Sequence, residues 1–525
     1  MADGTVEHFK NYSIADLEKR FGESFWKHPN SLIERIYSQL IGFALDEHTV
    51  KVIKENYPHK SLKRRSCGYA IDEVIEGLLI CDKLFKDREI NLCKLLAGSE
   101  GTLAFITEIK VHLDVLPPKE VVALCAHCDT LEKSFYANLV ALKYVNKNEG
   151  EPSVTAIELI DNTILELSRN NVEQQKNRFF VKGSPAAILI IEIKGNAKDS
   201  VENLAKKIEN DLLKSEEKGC GEGSLVFACS WVYGSDIQKI WSLRKAGLGL
   251  LSGIKGDAKP VGVIEDTAVA PEFLPMYMRE FRTMLSKLGL SCVYYSHIST
   301  GELHLRPILN IKKQSDRELF REVANQTALL VKKYKGSLSG EHGDGRLRGE
   351  FIPLLYGNEA YSLMKEVKKS WDSLGLFNIG KIVDTPPMDS CLRYDAEQKY
   401  AIREELIKKD TYYNWKGDFD DCKVEGATGA TDNLHALMCS IEQCNGAGDC
   451  RKSSLIGGTL CPAFKVSGDE TKATRARANI LREILTRGCG TRVFKNSEIK
   501  EVLYSCLACK GCRSECPSNV DMTKI

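Results

Sequence analysis

The last residues of the chain carry cysteines at the spacing of an iron-sulfur cluster site. The run reads C-x2-C-x2-C-x3-C-P and consists of Cys506, Cys509, Cys512 and Cys516, followed by a proline. In this spacing three thiolates bind irons of one cubane cluster, while the fourth, redirected by the proline, reaches a second cluster. A structural zinc site is the alternative, but zinc usually takes its ligands from two separated pairs.

An altered copy of this run lies upstream, in "CNGAGDC" at 444–450 followed by "CP" at 461–462. In the usual crossed arrangement, Cys461 joins the first three cysteines of the terminal run on one cluster. Cys444, Cys450 and Cys516 then serve the other cluster, which lacks a fourth thiolate because Ala447 stands at the usual cysteine position. Either Cys439 supplies the ligand, or a non-protein group does, or the cluster has only three irons. The sequence leaves these alternatives open.

Two histidines and a glutamate indicate a second kind of metal site. His297 and His304 flank "ISTGEL", and "GEHGDG" further on adds Glu341 and His342 on a glycine-framed turn. If the "TG" dipeptide were the centre of a hairpin turn, the two histidines would be directly opposed, with Cβ atoms about 5 Å apart. The alternative is a pair of histidines with structural hydrogen bonds only.

A glycine-rich loop lies in "LLAGSEGTL" at 95–103, between "RRSCGYAID" and "AFITEIKVHLDVLPP". Its backbone N–H groups and hydroxyls suit the polar edge or phosphate of a ligand. The candidate binding residues are Gly98, Ser99, Glu100, Gly101 and Thr102.

This order of motifs resembles the second half of the flavin-binding domain in FAD-linked oxidases of the vanillyl-alcohol oxidase type. The resemblance continues through "RKAGLGLLSGIKGDAKPVGVIEDTAVAP", "SHISTGELHLRPIL", "GSLSGEHGDG" and "LFNIGKIVD", in the order found in D-lactate, glycolate and D-2-hydroxyglutarate dehydrogenases. The cysteine segment extends it to long bacterial members that fuse such a dehydrogenase to an iron-sulfur module. The resemblance covers essentially the whole chain.

The resemblance implies an α+β fold made of three domains and a linker. We expect the second half of a FAD-binding domain at 1–117 and a ferredoxin-like α+β substrate or cap domain at 118–385. A linker is expected at 386–430, and an α-helical ferredoxin domain with iron-sulfur clusters at 431–525.

The resemblance also implies roles for the candidate site residues. In the related dehydrogenases the equivalents of His297, His304 and Glu341 bind a divalent metal such as zinc or manganese. The equivalent of His342 acts as a base.

Three further residues are implied in substrate and cofactor binding. Arg244 and Lys259 match the pair that binds the substrate carboxylate, and Asn378 is expected to contact FAD. Family members specific for 2-hydroxyglutarate have an asparagine where this chain has Arg306. The chemical group at the distal end of the substrate is therefore left open.

The implied activity is FAD-dependent oxidation of a small D-2-hydroxy acid to the 2-oxo acid. Electrons are expected to pass through the clusters to a quinone, a flavoprotein or a cytochrome. A non-catalytic electron-transfer subunit and an inert fragment of a longer gene are the rival interpretations.

Two departures from the family concern the ends of the chain. The family's flavin domain opens with a glycine-rich pyrophosphate loop well before the region matching "ADGTV", and the fused relatives continue beyond the second "CP" run. We therefore expect a chain truncated at both ends or one piece of a split enzyme. A polypeptide carrying the missing half of the FAD domain is an expected partner.

Composition narrows the class of protein further. A net charge of +1 on 525 residues gives no basic field, which argues against nucleic acid as a partner. The N-terminal residues lack the pattern of a signal peptide, so we expect a cytoplasmic protein, with peripheral membrane association left open. Nineteen cysteines in a reducing compartment favour metal over disulfides.

Overall fold

The computed structural model describes most of the chain: residues 1–80, 83–146, 148, 150–216, 223–392, 413–415, 430–487 and 497–525. Most of the expected linker at 386–430 lies outside the described residues.

Ten strands are numbered in chain order: β1 Asn11–Ser13, β2 Glu89–Asn91, β3 Glu120–Cys128, β4 Ser153–Asp161, β5 Ala187–Gly195, β6 Ala228–Tyr233, β7 Lys259–Pro260, β8 Ile264–Ala268, β9 Cys292–His297 and β10 Glu302–Leu309. The α-helices up to residue 392 are α1 Ile14–Phe21, α2 Leu32–Leu45, α3 Glu47–Asn56, α4 Ile71–Glu76, α5 Cys93–Ala97, α6 Leu131–Leu142, α7 Asn162–Arg169, α8 Lys198–Lys214, α9 Asp236–Ser252, α10 Leu274–Lys287, α11 Gln314–Lys333, α12 Gly345–Arg348 and α13 Ile352–Trp371. Those that follow are α14 Ala430–Glu442, α15 Pro462–Ser467, α16 Thr474–Arg487, α17 Ser497–Tyr504 and α18 Gly511–Glu515.

The centre of the molecule is an antiparallel sheet whose first half is ferredoxin-like. Its strand order starts β6-β3-β5-β4, and the chain runs β3-α6-β4 and then β5-α8-β6, which is the βαββαβ arrangement. The sheet continues through β9, β10 and β7, with β8 also paired to β10. The ferredoxin-like substrate domain expected from the sequence is thus present.

Both faces of this sheet are covered by helices. Strand β5 is "AILIIEIKG" and nearly every one of its side chains is buried, as expected for a strand packed on both faces. Helices α6 and α8 contribute to the core on one face, and α7 and α9 to a separate core on the other. Helix α9 carries the candidate residue Arg244, and its Gly249 lies against Pro517 of the C-terminal segment.

The first hundred residues form a mainly helical layer joined to the sheet by a common core. Helices α2 and α3 pack against α13, so the N-terminal residues and the segment after the substrate domain form one unit. In the part of the chain that the structure describes, the two short strands β1 and β2 form a separate two-stranded sheet.

The C-terminal helices have a core of their own and lie against the substrate domain. Lys312 forms ion pairs with Asp257 and with Glu442 of α14, at 2.6 and 2.7 Å. A Cβ atom on Gly249 would lie 2.3 Å from Pro517 Cβ, so only glycine allows α9 to approach the last cysteine-proline pair this closely. Among the helices within the described ranges, none is both long and apolar enough to cross a membrane.

Candidate active site and cluster sites

The two histidines lie on one face of a hairpin, but in a register different from the expected one. A 3-10 turn at Ile298–Thr300 and Gly301, which has φ +78°, joins β9 to β10. This longer turn pairs His297 with Glu302 and His304 with Tyr295. The prediction of directly opposed histidines is therefore wrong, because the turn contains more residues than a two-residue hairpin loop. The histidines are diagonal neighbours, with ring centroids 5.1 Å apart.

Four side chains converge at this hairpin. Each offers one candidate ligand atom, and these atoms all lie within 4.8 Å of one another. We call them the histidine-glutamate site: His297, Glu302, His304 and Glu341. The three residues predicted from the sequence are thus brought together, and Glu302 is added to them. Imidazole and carboxylate are ligands that suit zinc and manganese.

Glu341 reaches the hairpin from the "GEHGDG" turn, which the buried Asp266 holds in place. The Asp266 carboxylate accepts the N–H groups of Glu341 and His342 at 3.0 and 2.8 Å, and the Ser339 hydroxyl at 2.6 Å. A charged acceptor for three donors fixes the turn strongly. The Glu341 carboxylate then lies 3.5 Å from His297 Nε2 and accepts a hydrogen bond from Arg64 at 2.7 Å.

Burial shifts the pKa of two of these side chains, His304 and Glu302, and in both cases favours the neutral form. The pKa of His304 is lowered to about 2, chiefly by burial and then by nearby His297, so its imidazole is neutral and able to bind a metal. Its Nδ1 is buried without a hydrogen-bond partner among the described residues. Burial, and then the neighbouring Asp266, raise the pKa of Glu302 to about 9. A cation placed here would offset the buried charge of the Glu302 carboxylate and would find a neutral imidazole ligand in His304.

His342 is the more exposed member of this group. Its ring stacks on His304 with centroids 5.4 Å apart and an angle of 13° between the planes. Its Nε2 lies 3.4 Å from Glu341 Oε1. The position predicted for the base is therefore adjacent to the histidine-glutamate site and 42% exposed, so a proton accepted there can pass to solvent.

Two arginines contact Tyr295 of the hairpin: Arg244 from helix α9, and Arg306 from strand β10 of the hairpin itself. The Arg244 guanidinium lies 5.1 Å from the ring centre and is held by Glu158, which also accepts from His297 Nδ1 at 2.8 Å. Arg306 Nε donates to the Tyr295 hydroxyl at 2.9 Å and pairs with Glu265.

Lys259, the predicted partner of Arg244, lines a cavity of about 410 Å³ together with Arg306. Its ammonium donates to the carbonyl of Ile254. The structure thus connects Lys259 to Arg306 through a common cavity, and its pairing with Arg244 on a carboxylate stays a prediction.

The glycine-rich loop lies against the turn that carries His342. The Glu100 carboxylate accepts the N–H group of Asp344 at 2.5 Å and that of Gly345 at 3.1 Å. A Cβ atom on Gly343 would lie 2.9 Å from Glu100 Oε1, so the glycine permits this approach. Asn378 Nδ2 donates to the Glu100 carbonyl at 2.7 Å. The residues predicted for the flavin site are therefore brought together, beside the predicted base.

The loop has features that fit the polar edge of a flavin. Glu100 and Gly101 have φ of +51° and +67°, and their N–H groups make no hydrogen bond to any described residue. Successive N–H groups in this conformation form a concave anion or acceptor site. Ser99 and Thr102 are buried beneath the loop, where the Thr102 hydroxyl donates to the Ser99 carbonyl at 2.6 Å. This hydrogen bond within the loop stabilises its conformation.

The C-terminal cysteines line two separate small cavities. The first cavity contains four of them: Cys461, Cys506, Cys509 and Cys512. The second contains three: Cys444, Cys450 and Cys516. This is the division expected for the crossed arrangement. Among the described residues, none of these seven thiols forms part of a group of three or more candidate ligand atoms that all lie within 4.8 Å of one another. The ligands of a single zinc ion would lie that close together.

A buried arginine faces the first cavity. Arg477 on α16 is fully buried, and its guanidinium donates to Cys461 Sγ at 3.6 Å. The same group is fixed by the Val502 carbonyl and the Ser505 hydroxyl at 2.9 and 2.8 Å. A hydrogen bond and a positive charge at a cluster thiolate raise the reduction potential, because the reduced cluster carries more negative charge.

We expect Arg477→Gln to lower the reduction potential of the first cluster by roughly 60 to 110 mV. This is the one-electron equivalent of losing a hydrogen bond to a charged group, about 1.5 to 2.5 kcal/mol. An EPR-monitored potentiometric titration would measure the shift. Arg477→Lys should recover part of it, and Arg482→Gln on the same helix serves as the matched control. An unchanged potential in Arg477→Gln would contradict the assignment.

Glu302, Asp266 and Glu158 are functional candidates that sequence reasoning missed. Glu302 lies inside "TGELHL" and is the first residue of the strand that carries His304, two positions before that histidine, so its position could have been read as a further ligand. Asp266 and Glu158 gave no such signal, because each acts on residues far away in the chain.

Two segments of the chain match known protein families. A profile of "FAD linked oxidases, C-terminal domain" matches residues 118–382, and one of "4Fe-4S dicluster domain" matches residues 443–521. A flavin-linked oxidoreductase domain followed by a cluster-binding domain is the class that the fold and the sites define. The chain belongs to the FAD-linked oxidase family and carries a 4Fe-4S dicluster domain.

The relatives that match this chain include two D-2-hydroxyglutarate dehydrogenases and a glycolate oxidase subunit. The D-2-hydroxyglutarate dehydrogenase of Escherichia coli (strain K12) is 26% identical over 97% of this chain, and that of Pantoea ananatis is 26% identical over 93%. The glycolate oxidase subunit GlcD of Bacillus subtilis is 23% identical over 57% of this chain and 59% of its own. The chain spans about half the length of the first two relatives, 49% and 47%.

Proposed function

We propose that the chain oxidises a D-2-hydroxy acid to the 2-oxo acid, and that its clusters pass the electrons to an external acceptor. The acceptor would be a quinone, a flavoprotein or a cytochrome. One observation carries this proposal: the histidine-glutamate site, the base candidate His342 and the glycine-rich loop meet at a single turn. Family membership and the names of the relatives support the same chemistry.

The residues of the histidine-glutamate site would hold a divalent cation such as zinc or manganese. The chemistry that such a cation supplies is a lower pKa for a coordinated substrate hydroxyl. His342 would then accept the hydroxyl proton, because it lies beside the metal ligand His304 and is exposed enough to release the proton to solvent. FAD, when bound at the glycine-rich loop, supplies a hydride acceptor for the hydrogen on C2.

Arg244 would orient the substrate carboxylate. Its guanidinium is positioned by Glu158, which also orients His297, so one carboxylate couples the binding of the substrate anion to the metal ligand. Bidentate binding by arginine fixes a carboxylate in one plane. Lys259 would add a second positive charge from the adjacent cavity.

The test is a panel of 2-hydroxy acids supplied to the FAD-loaded protein with an artificial electron acceptor. We expect turnover of D-lactate, glycolate or D-2-hydroxyglutarate, loss of turnover after chelation, and recovery with zinc or manganese. L-enantiomers should be inactive. A protein that holds FAD and the cation yet oxidises none of these acids would instead support a purely electron-transferring role.

Arg306 is proposed to determine the distal group of the substrate. Its guanidinium lines the cavity of about 410 Å³ beyond Tyr295, so a second carboxylate of the substrate would meet it there. We expect Arg306→Ala to raise KM for D-2-hydroxyglutarate about tenfold or more, the equivalent of about 1.4 kcal/mol, with a smaller effect on D-lactate. Arg306→Lys should be intermediate. Equal effects on both acids would contradict this assignment.

An exposed apolar segment is proposed to bind a further polypeptide that completes the flavin region. Residues 105–116 follow the glycine-rich loop, and Val111, Leu113 and Val115 are 66%, 78% and 93% exposed. The alternation "IKVHLDV" is typical of a strand with one buried face, yet no described residue pairs with it. An apolar surface of this kind is typical of an interaction site.

We expect replacement of Val111, Leu113 and Val115 by threonine to reduce self-association of the chain and to abolish binding of a covering polypeptide. Light scattering measures the first effect, and co-purification with a separately expressed flavin-domain segment measures the second. The matched control replaces Lys110 and His112, which alternate with them, by serine. A control that behaves like the triple variant would contradict a role for one face.

A further inference from the structure

Among the described residues, the second cysteine cavity is lined by three thiolates rather than four. Its lining contains the three cysteines already named and also Ala447, at the position where the sequence pattern has a cysteine. Ala447 also lines the cavity of about 410 Å³ between the substrate domain and the C-terminal helices. A cubane cluster bound in the second cavity would therefore meet a methyl group at this corner, in the wall shared with the larger cavity.

Cys439, the candidate substitute from the sequence, is held elsewhere. Its Sγ donates to Asp257 Oδ1 at 3.4 Å, and Asp257 also pairs with His435 of the same helix at 3.2 Å. Cys439 lines the larger cavity and does not line the second cysteine cavity. The contacts of its thiol thus bind α14 to the substrate domain.

The nearby oxygen atoms are also engaged. Asn445 Oδ1 accepts the N–H group of Ala447 at 3.0 Å and the hydroxyl of Ser518 at 3.2 Å. The Asp449 carboxylate pairs with Lys452 at 2.8 Å. These contacts leave the corner at Ala447 to be filled from the cavity side.

We propose that the second cluster of this chain is bound by three cysteines only, and that its fourth iron is labile and open to a non-protein ligand from the larger cavity. The inference rests on the dicluster domain, and its test by iron content and EPR does not depend on hydroxy-acid turnover. It selects among the alternatives that the sequence leaves open, against Cys439.

The charges of the larger cavity indicate the class of ligand. Three cationic side chains and two carboxylates line it: Lys259, Arg306, Lys312, Asp257 and Glu442. A ligand of iron must donate an electron pair, and these cationic side chains would attract a small anion such as a carboxylate or hydroxide. We therefore expect a water molecule or such an anion as the ligand.

The experiment follows the iron content and the EPR spectrum of the full chain, purified without oxygen and then oxidised mildly with ferricyanide. We expect the oxidised protein to retain about seven irons and to show the narrow, nearly isotropic signal of a three-iron cluster. Ferrous iron under reducing conditions should restore the count to about eight and remove the signal.

Two variants make the result specific. Ala447→Cys supplies the missing thiolate and should abolish the three-iron signal, while Cys439→Ser should leave the behaviour of the wild type unchanged. Should Ala447→Cys fail to assemble clusters, the loss and return of one iron in the wild type still decides.

Two outcomes would overturn the proposal. One is an oxidised wild type that keeps about eight irons without a three-iron signal. The other is a Cys439→Ser variant in which the second cluster becomes more labile than in the wild type, because that result would identify Cys439 as the fourth ligand.

Discussion

Replacing His297 by alanine is expected to lower kcat for hydroxy-acid oxidation by roughly 10³-fold, equivalent to about 4 kcal/mol of transition-state stabilisation. The side chain lies among the candidate metal ligands and is oriented by Glu158 at 2.8 Å. Its hydrogen bonds and ion pairs within the described residues involve no residue of the predicted flavin loop, so the amount of bound FAD should be unchanged. Steady-state kinetics together with the flavin absorbance of the purified variant would separate the two effects.

Glu341→Gln should show the same separation, because the amide is a poor ligand for a divalent cation. Metal analysis of both variants should show loss of the cation. His28→Ala is a suitable control, since His28 is exposed and lies between helices α1 and α2 of the N-terminal layer. Activity near the wild-type level in His297→Ala, or activity that resists strong chelation in the wild type, would contradict the metal site.

Asp266→Asn is expected to have the second large effect. The substitution replaces one of two acceptor oxygens by an NH2 group that faces the N–H groups of Glu341 and His342. Asp266 has φ +83°, a conformation that asparagine tolerates, so the backbone itself should not be strained. We expect a loss of about 2 to 4 kcal/mol in the free energy of unfolding and a fall in kcat, with a smaller change in KM.

Chemical denaturation and metal-binding titrations would test this expectation. Asp266 positions the turn and touches neither substrate nor metal in this assignment, so an excess of the cation should restore part of the activity in Asp266→Asn but none in His297→Ala. Asp384→Asn, at an exposed carboxylate, serves as the control. A variant with normal stability and normal metal affinity would show that the turn does not depend on Asp266.

The sequence predicted the cluster region well because its information is local. The spacing of Cys506, Cys509 and Cys512, with a proline after Cys516, indicates a cubane site without reference to the rest of the fold. The position of Cys439 could not be predicted in this way. Its thiol is bound by Asp257, a residue of the substrate domain that is distant in the chain.

The histidine-glutamate site was predicted only in part, because only part of the information that defines it is local in the sequence. The ligand types and their grouping in two motifs were visible in the sequence, but the register of the hairpin depends on a 3-10 turn that the "TG" dipeptide did not reveal. That register places Glu302 opposite His297 and makes it a candidate ligand. The role of Asp266 depends on tertiary contacts, which a single sequence does not contain.

The most direct test is a single-turnover reaction of the FAD-bearing fraction of the protein with D-2-hydroxy acids, without oxygen and with zinc or manganese present. We predict bleaching of the flavin absorbance by at least one D-enantiomer and by no L-enantiomer, with the reaction slowed by roughly 10³-fold in His297→Ala and strongly slowed in His342→Ala. Flavin that stays oxidised with every D-2-hydroxy acid, or equal bleaching rates in the wild type and His297→Ala, would contradict the proposed activity.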